Sequence, residues 1–166
     1  MIQFTKTLRA ELPNHIITHA PQAPYFKNEY YKNGGYKTIH DKVGNMIDFY
    51  MVQFYNQVET KYDSYEELFI HSSGPDFNGT AIKEINERGI PLRKIVVGKP
   101  ILPSDASNTG WVNQTELGSF AMKGFEKLGW YAGIMHWQYP SDLSGASIVQ
   151  AAGALIKKCK ATKECV

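Results

Sequence analysis

No run in the sequence approaches the roughly 18–20 consecutive apolar residues that a membrane span needs. The opening stretch MIQFTKTLRAELPNHII has no apolar block of the secretion-signal kind and is not read as one. Cysteine is scarce: only Cys159 and Cys165 occur, and their spacing matches no zinc pattern, so no metal site is expected. Two readings of the pair stay open, a small disulfide loop in a chain leaving a helix or two free thiols on a fraying tail, with the bridge preferred. Neither GxGxxG nor GxxxxGK[ST] is present, which removes the phosphate-cradling loop of a nucleotide-binding doubly wound fold. The 18 basic and 16 acidic residues are well mixed, with a formal net charge of +2. No basic cluster gives the footprint of a nucleic-acid binder. No cofactor, no nucleic-acid partner and no membrane partner is expected.

What is present suits one globular α/β domain over residues 1–166. Hydrophobic residues make up 43% and charged residues 20%, ordinary for a packed core. The aromatic share is high, at 13% with ten Tyr and three Trp. Aromatic side chains fill cores most often, but they also build platforms for sugars and other flat ligands. Four short runs are rich in β-branched and aromatic residues, at 15–20, 49–55, 94–98 and 132–137. They are near-continuous in apolar character, the pattern of strands covered on both faces in a parallel sheet.

Helical stretches separate these runs. Residues 4–12 read as a short helix stopped by Pro13. Residues 80–88 follow the turn pair Asn78-Gly79, with Thr80 expected as N-cap and Gly89 as C-terminal cap. Residues 115–128 put Leu117, Phe120, Ala121, Phe125 and Leu128 on one stripe. Residues 146–159 are apolar and end in lysines, which suit a helix C-terminus. Within 28–44 the pattern is weaker, with one or two turns expected over 38–43. The order is therefore a helix followed by four strand–helix repeats, which implies parallel pairing with right-handed crossovers. Three of the strands end in polar or turn-forming clusters, APQAPYF, YNQ and GKPILPSD, as in barrels whose sites lie at the C-terminal ends of strands.

HAPQAPYF, IDFYMVQFYNQ, KIVVGKP and YAGIMHW, in that order, resemble strands five to eight of glycoside hydrolase family 18, the chitinases. The resemblance covers nearly the whole chain and implies half of a (β/α)8 TIM barrel, four parallel strands each followed by a helix. By position, it implies that Tyr55 donates a hydrogen bond to the acetamide carbonyl of a bound N-acetylglucosamine. That carbonyl attacks the anomeric carbon, a substrate-assisted exception to the two-carboxylate scheme. Gln53 and Asn56 then supply polar contacts, Trp137 the apolar floor under the sugar, and Ala20 a low wall. The implied partner is a chitooligosaccharide or another N-acetylglucosamine-containing glycan. Taken singly, Trp137 and Tyr55 would more often be core residues. His19 and His136 read as packing residues, Trp111 as a rim aromatic, and Asp48 as a brace for loop backbone.

One element of that family is missing. No Asp or Glu in the chain has the DxxDxDxE spacing whose last glutamate is the general acid. Residues 4–12 resemble the helix that follows strand four, so the chain is expected to start just past the catalytic strand. A phenol with a pKa near ~10 cannot protonate a glycosidic oxygen at neutral pH, and a general acid contributes about 10²–10⁴-fold. The expected function is a chitinase-like half-barrel that binds chitin or N-acetylglucosamine oligosaccharides with little or no hydrolysis. The alternatives are the C-terminal part of an active chitinase and a scaffold with an unrelated role. Four strands also leave two open edges and an apolar inner face, from which a homodimer that closes the barrel is expected. Secretion is implied by the family, whose members are often exported, and agrees with a Cys159–Cys165 bridge.

Overall fold

The computed structural model describes residues 1–162 and 165. One sheet holds four strands in the order β1 (Thr18–His19), β2 (Phe49–Gln53), β3 (Ile95–Pro100) and β4 (Ile134–Trp137), every neighbouring pair parallel. Helices α1 (Ile2–Glu11), α2 (Gly35–Val43), α3 (Ile82–Glu87), α4 (Gln114–Leu128) and α5 (Ala146–Thr162) alternate with them. The expected strand–helix alternation is what the chain forms.

Local chemistry sets the boundaries. Asn113 caps α4 by accepting the Thr115 N–H at 3.0 Å, and Gly129 closes it in the left-handed conformation at φ 68°. α3 departs from expectation: it begins at Ile82, with Ala81 and not Thr80 at the N-cap. Thr80 is buried, and its hydroxyl donates to the Phe77 carbonyl at 2.6 Å, so it braces the preceding turn. The Ala81 N–H is satisfied from inside the helix by the Glu84 carboxylate at 2.9 Å. α2 is longer than the turn or two expected, and β1 is shorter than the run 15–20. Within β1 only Thr18 and His19 pair with β2, and an isolated bridge from Gln22 to Gln53 follows.

The two faces of the sheet differ. Tyr50 and Val52 on β2, and Phe54 just past its end, point into the helix layer and are wholly buried. Tyr50 meets Phe26, Tyr36 and His40 there, and its hydroxyl pairs with His40 Nδ1 at 2.8 Å. Trp130 enters the same layer and donates its indole N–H to the Ile95 carbonyl at 2.7 Å. The opposite face of β2 carries Phe49, Met51 and Gln53, each half-buried. With Val96, Gly133 and Met135, the first two of these line an open groove of about 320 Å³.

α1 is attached by a different means. Thr5 is its one buried residue. Arg9 holds it, donating to the carbonyls of Met46 (2.8 Å), Pro13 (3.1 Å) and His15 (2.8 Å) and to Asp48 at 2.7 Å. At the other terminus Cys159 and Cys165 are bridged, with Sγ–Sγ 2.01 Å, as preferred from the sequence.

Candidate functional site

The strand register decides which expected site residues share a face. Gln53 pairs with Gly98 and Gly98 with Met135; Pro100 pairs with Trp137. Tyr55 lies two residues past the end of β2, and continued alternation from Gln53 would bring it to the same inner face. Ala20 joins them at the end of β1: Gln53 Nε2 donates to its carbonyl at 2.7 Å, and Gln22 bridges to Gln53. Four of the five expected residues, Ala20, Gln53, Tyr55 and Trp137, thus gather at the C-terminal ends of parallel strands on one face. Gly98 is needed there. A Cβ at that position would lie 2.6 Å from Met135 Cε and 2.6 Å from the Val52 carbonyl.

Asn56, the fifth, is out of step by one residue. Its backbone is left-handed at φ 59°, its Oδ1 accepts the N–H groups of Ser107 (2.7 Å) and Asn108 (3.2 Å), and its own N–H donates to the Thr109 carbonyl at 2.8 Å. Asn56 therefore ties the end of β2 to the loop after β3, with its amide NH2 left over for other contacts.

Tyr55 has a buried ring, only 5% exposed, and its hydroxyl has no hydrogen-bond partner among the described residues. Burial pushes the phenol above its ordinary value, which keeps the proton on the oxygen and the hydroxyl a donor. Trp137 is 48% exposed, and its carbonyl accepts the Ile101 N–H at 2.7 Å. The loop beyond it is anchored to the loop after β3, because Ser141 Oγ (2.7 Å) and Gln138 Nε2 (3.4 Å) both donate to Asp105 Oδ1. The pair is an apolar ring open to solvent and a phenol with a free O–H, the combination a sugar ring with an amide substituent can use.

The remaining candidates sit elsewhere. His19 packs edge-on to Tyr36 and Tyr50 beneath α1, with Nε2 3.1 Å from Thr5 Oγ1. His136 lies on the helix-side face of β4, where burial lowers its pKa. Trp111 donates its indole N–H to the Ile101 carbonyl at 3.0 Å on the rim. Asp48 accepts the Ile17 N–H at 2.8 Å and Arg9 at 2.7 Å, bracing backbone at the N-terminal end of β2. A cavity of about 760 Å³ lined by Tyr25, Tyr31 and Tyr36 lies beside α1 and α2 and contains none of the expected residues. No carboxylate is among the residues of the inner face named above, and no cluster of three or more His, Cys, Asp or Glu among the described residues could hold a metal.

One side chain was missed. Lys99 on β3 is fully buried, and its ammonium donates to the carbonyls of Phe54 (2.8 Å), Tyr62 (2.6 Å) and Gly110 (2.9 Å). In sequence it stands in a short turn-forming cluster, GKP, and nothing local marks it as interior.

This geometry, parallel strands with polar and aromatic residues at their C-terminal ends, defines the class: a (β/α) half-barrel with its site at the strand ends. Solved structures place it more narrowly. A GH18 chitinase from Pseudoalteromonas aurantia is 28% identical, covers 92% of this chain and is itself 52% covered, at a TM-score of 0.72. A fungal endo-β-N-acetylglucosaminidase of glycosyl hydrolase family 18 is 22% identical over 95% of this chain and 50% of its own, at 0.63. The xylanase and α-amylase inhibitor protein XAIP-II from Scadoxus multiflorus is 19% identical over 92% of this chain and 49% of its own, at 0.57. No family profile matches the chain. The chain spans about half the length of the solved structures it matches and is a half-barrel of the glycoside hydrolase family 18 fold.

Proposed function

We propose that the chain is a chitinase-like binding module that takes chitin or N-acetylglucosamine oligosaccharides and hydrolyses them poorly or not at all. Trp137 stacks under the pyranose, Tyr55 donates to the acetamide carbonyl, Gln53 and the free NH2 of Asn56 add polar contacts, and Ala20 keeps the wall low. The observation that carries this reading is the unpartnered Tyr55 hydroxyl on the same sheet face as the exposed Trp137. That DxxDxDxE does not occur in this sequence supports binding over efficient cleavage. Calorimetric titration with chitotetraose tests it: binding should weaken about tenfold or more in Trp137→Ala. No heat signal at millimolar ligand rejects it.

A second reading is the C-terminal part of an active chitinase, favoured by the half-length match to the Pseudoalteromonas enzyme. Release of a fluorescent leaving group from a chitobiose substrate by the pure chain, abolished in Tyr55→Phe, would support it. The likeness to an inhibitor protein favours an interaction role as a third possibility.

The exposed surface supports self-association as part of this proposal. Ile16 (74% exposed) stands at the β1 edge, and Val149 (70%) and Ile156 (51%) lie on α5 beside β4. A second copy would supply four more strands, joining β1 of each to β4 of the other. Light scattering after size exclusion should read twice 18.7 kDa; a clean monomer at micromolar concentration excludes the dimer. The disulfide supports an oxidising compartment and, with it, secretion.

A further inference from the structure

Lys99 takes no part in the contacts proposed above, yet its placement demands a reason. Its side chain is wholly buried and touches no carboxylate; Asp63 acts on it only at a distance. Removing an ammonium from water without an ionic partner is unfavourable, and a methionine of similar length would fill the same space without that cost. Burial lowers the pKa of this amine to about 7, so it is not there for packing, and its hydrogen bonds are what remain to explain it. It has three N–H donors and three carbonyl acceptors, and these come from three separate segments: the end of β2, the loop after β2 and the loop after β3.

Two of the three segments hold Tyr55. The Phe54 carbonyl belongs to the peptide unit that leads directly into Tyr55. Gly110 lies against Tyr55 itself: a Cβ at Gly110, whose φ is +99°, would stand 2.5 Å from Tyr55 Cα and 2.7 Å from its Cβ. The same loop receives the Asn56 N–H through Thr109. Tyr55 is thus clasped between two backbone segments whose carbonyls converge on one ammonium.

We infer that Lys99 is the positioning residue of the candidate sugar site, fixing through the Phe54 and Gly110 carbonyls the direction in which the Tyr55 hydroxyl is presented. This rests on the reading of Tyr55 as the acetamide donor. Lys99 makes no contact with the ligand and acts only through the backbone around Tyr55.

The test is a double-mutant cycle on the full chain with chitotetraose, using Lys99→Met, Tyr55→Phe and the double variant. Lys99→Met should lose about as much affinity as Tyr55→Phe, roughly tenfold, and the double variant should lose no more than either. Wild-type affinity in Lys99→Met, or losses that multiply, overturns the inference. Lys99→Arg, which retains donors and charge, should recover part of the loss. If the wild-type chain binds no chitotetraose, the sugar site falls, and amide exchange judges the clasp separately. Lys99→Met should then lose tenfold or more protection at Asn56 while Val97 stays as in the wild type; a uniform rise in exchange overturns it. Should Lys99→Met not fold, the wild-type chain still decides. Through-hydrogen-bond couplings from Lys99 Nζ to the Phe54 and Gly110 carbonyl carbons are expected by NMR, and their absence overturns it.

Discussion

Tyr50 and Val52 on β2 and Phe54 just past it are closed off from solvent, whereas Phe49, Met51 and Gln53, one residue out of step, are each half-buried. Both sets are built from similar side chains, so hydrophobicity alone does not explain the difference. The helices lie on one side only. The helix-side face gains the full transfer free energy of its side chains, about 1.5–3 kcal/mol for each large apolar one. The inner face gains a fraction of it and keeps its apolar groups available for a partner or ligand. One face holds the fold together, and the other carries the proposed sugar site.

The sharpest way to break this comparison is to truncate one large side chain on each face. Trp130→Ala, in the helix layer, should cost about 3–5 kcal/mol in urea unfolding. Phe49→Ala, on the inner face, should cost less than about 1 kcal/mol. Equal losses would mean that the inner face is buried in solution, as it would be in a dimer.

Glu84→Gln comes next. Although burial opposes ionisation of Glu84, the N–H groups of Ala81 and Ser72, and then His71, hold its carboxyl below the usual range. Loss of these charge-assisted bonds should cost about 1–3 kcal/mol at pH 7. A depressed folded pKa gives stability that is present above the unfolded value of about 4.3 and is lost as pH falls through the folded one. The gap between wild type and Glu84→Gln should therefore close in acid, as read by thermal melts between pH 7 and pH 3.

The tyrosines give the most gradual effect. Burial pushes Tyr31 up to about 12 and raises Tyr36, Tyr50, Tyr55 and Tyr62. Their folded values exceed the unfolded one, so their contribution is complete below about pH 10 and is lost as pH rises above it. Melting temperature should fall steadily above pH 10, while any ligand binding through Tyr55 persists past that point.

The sequence carried the order of elements because each strand was a continuous apolar run, and four of five expected site residues reached one face because period-two alternation is local. It did not show that β1 would pair over Thr18 and His19 alone. Nor did it show how Asn56 is used, since the Ser107 and Asn108 amides that its side chain accepts lie 51 and 52 residues away. Lys99 was invisible for the same reason. Its acceptors are 45, 37 and 11 residues distant, and a lysine before a proline reads as surface until those loops are placed. What stayed hidden was long-range backbone satisfaction, which has no sequence period.

The attachment of α1 by Arg9 has a kinetic corollary. Met46 and Asp48, which receive the guanidinium, lie 37 and 39 residues further along the chain, and the helix itself buries little more than Thr5. α1 also packs on α2, but its Arg9 anchor is complete only once the start of β2 is in place, so that anchor is expected to form late on the folding route. Arg9→Ala should accordingly leave the refolding limb of a chevron nearly unchanged and raise the unfolding limb. The first helix of the chain would then be the last to arrive and the first to leave.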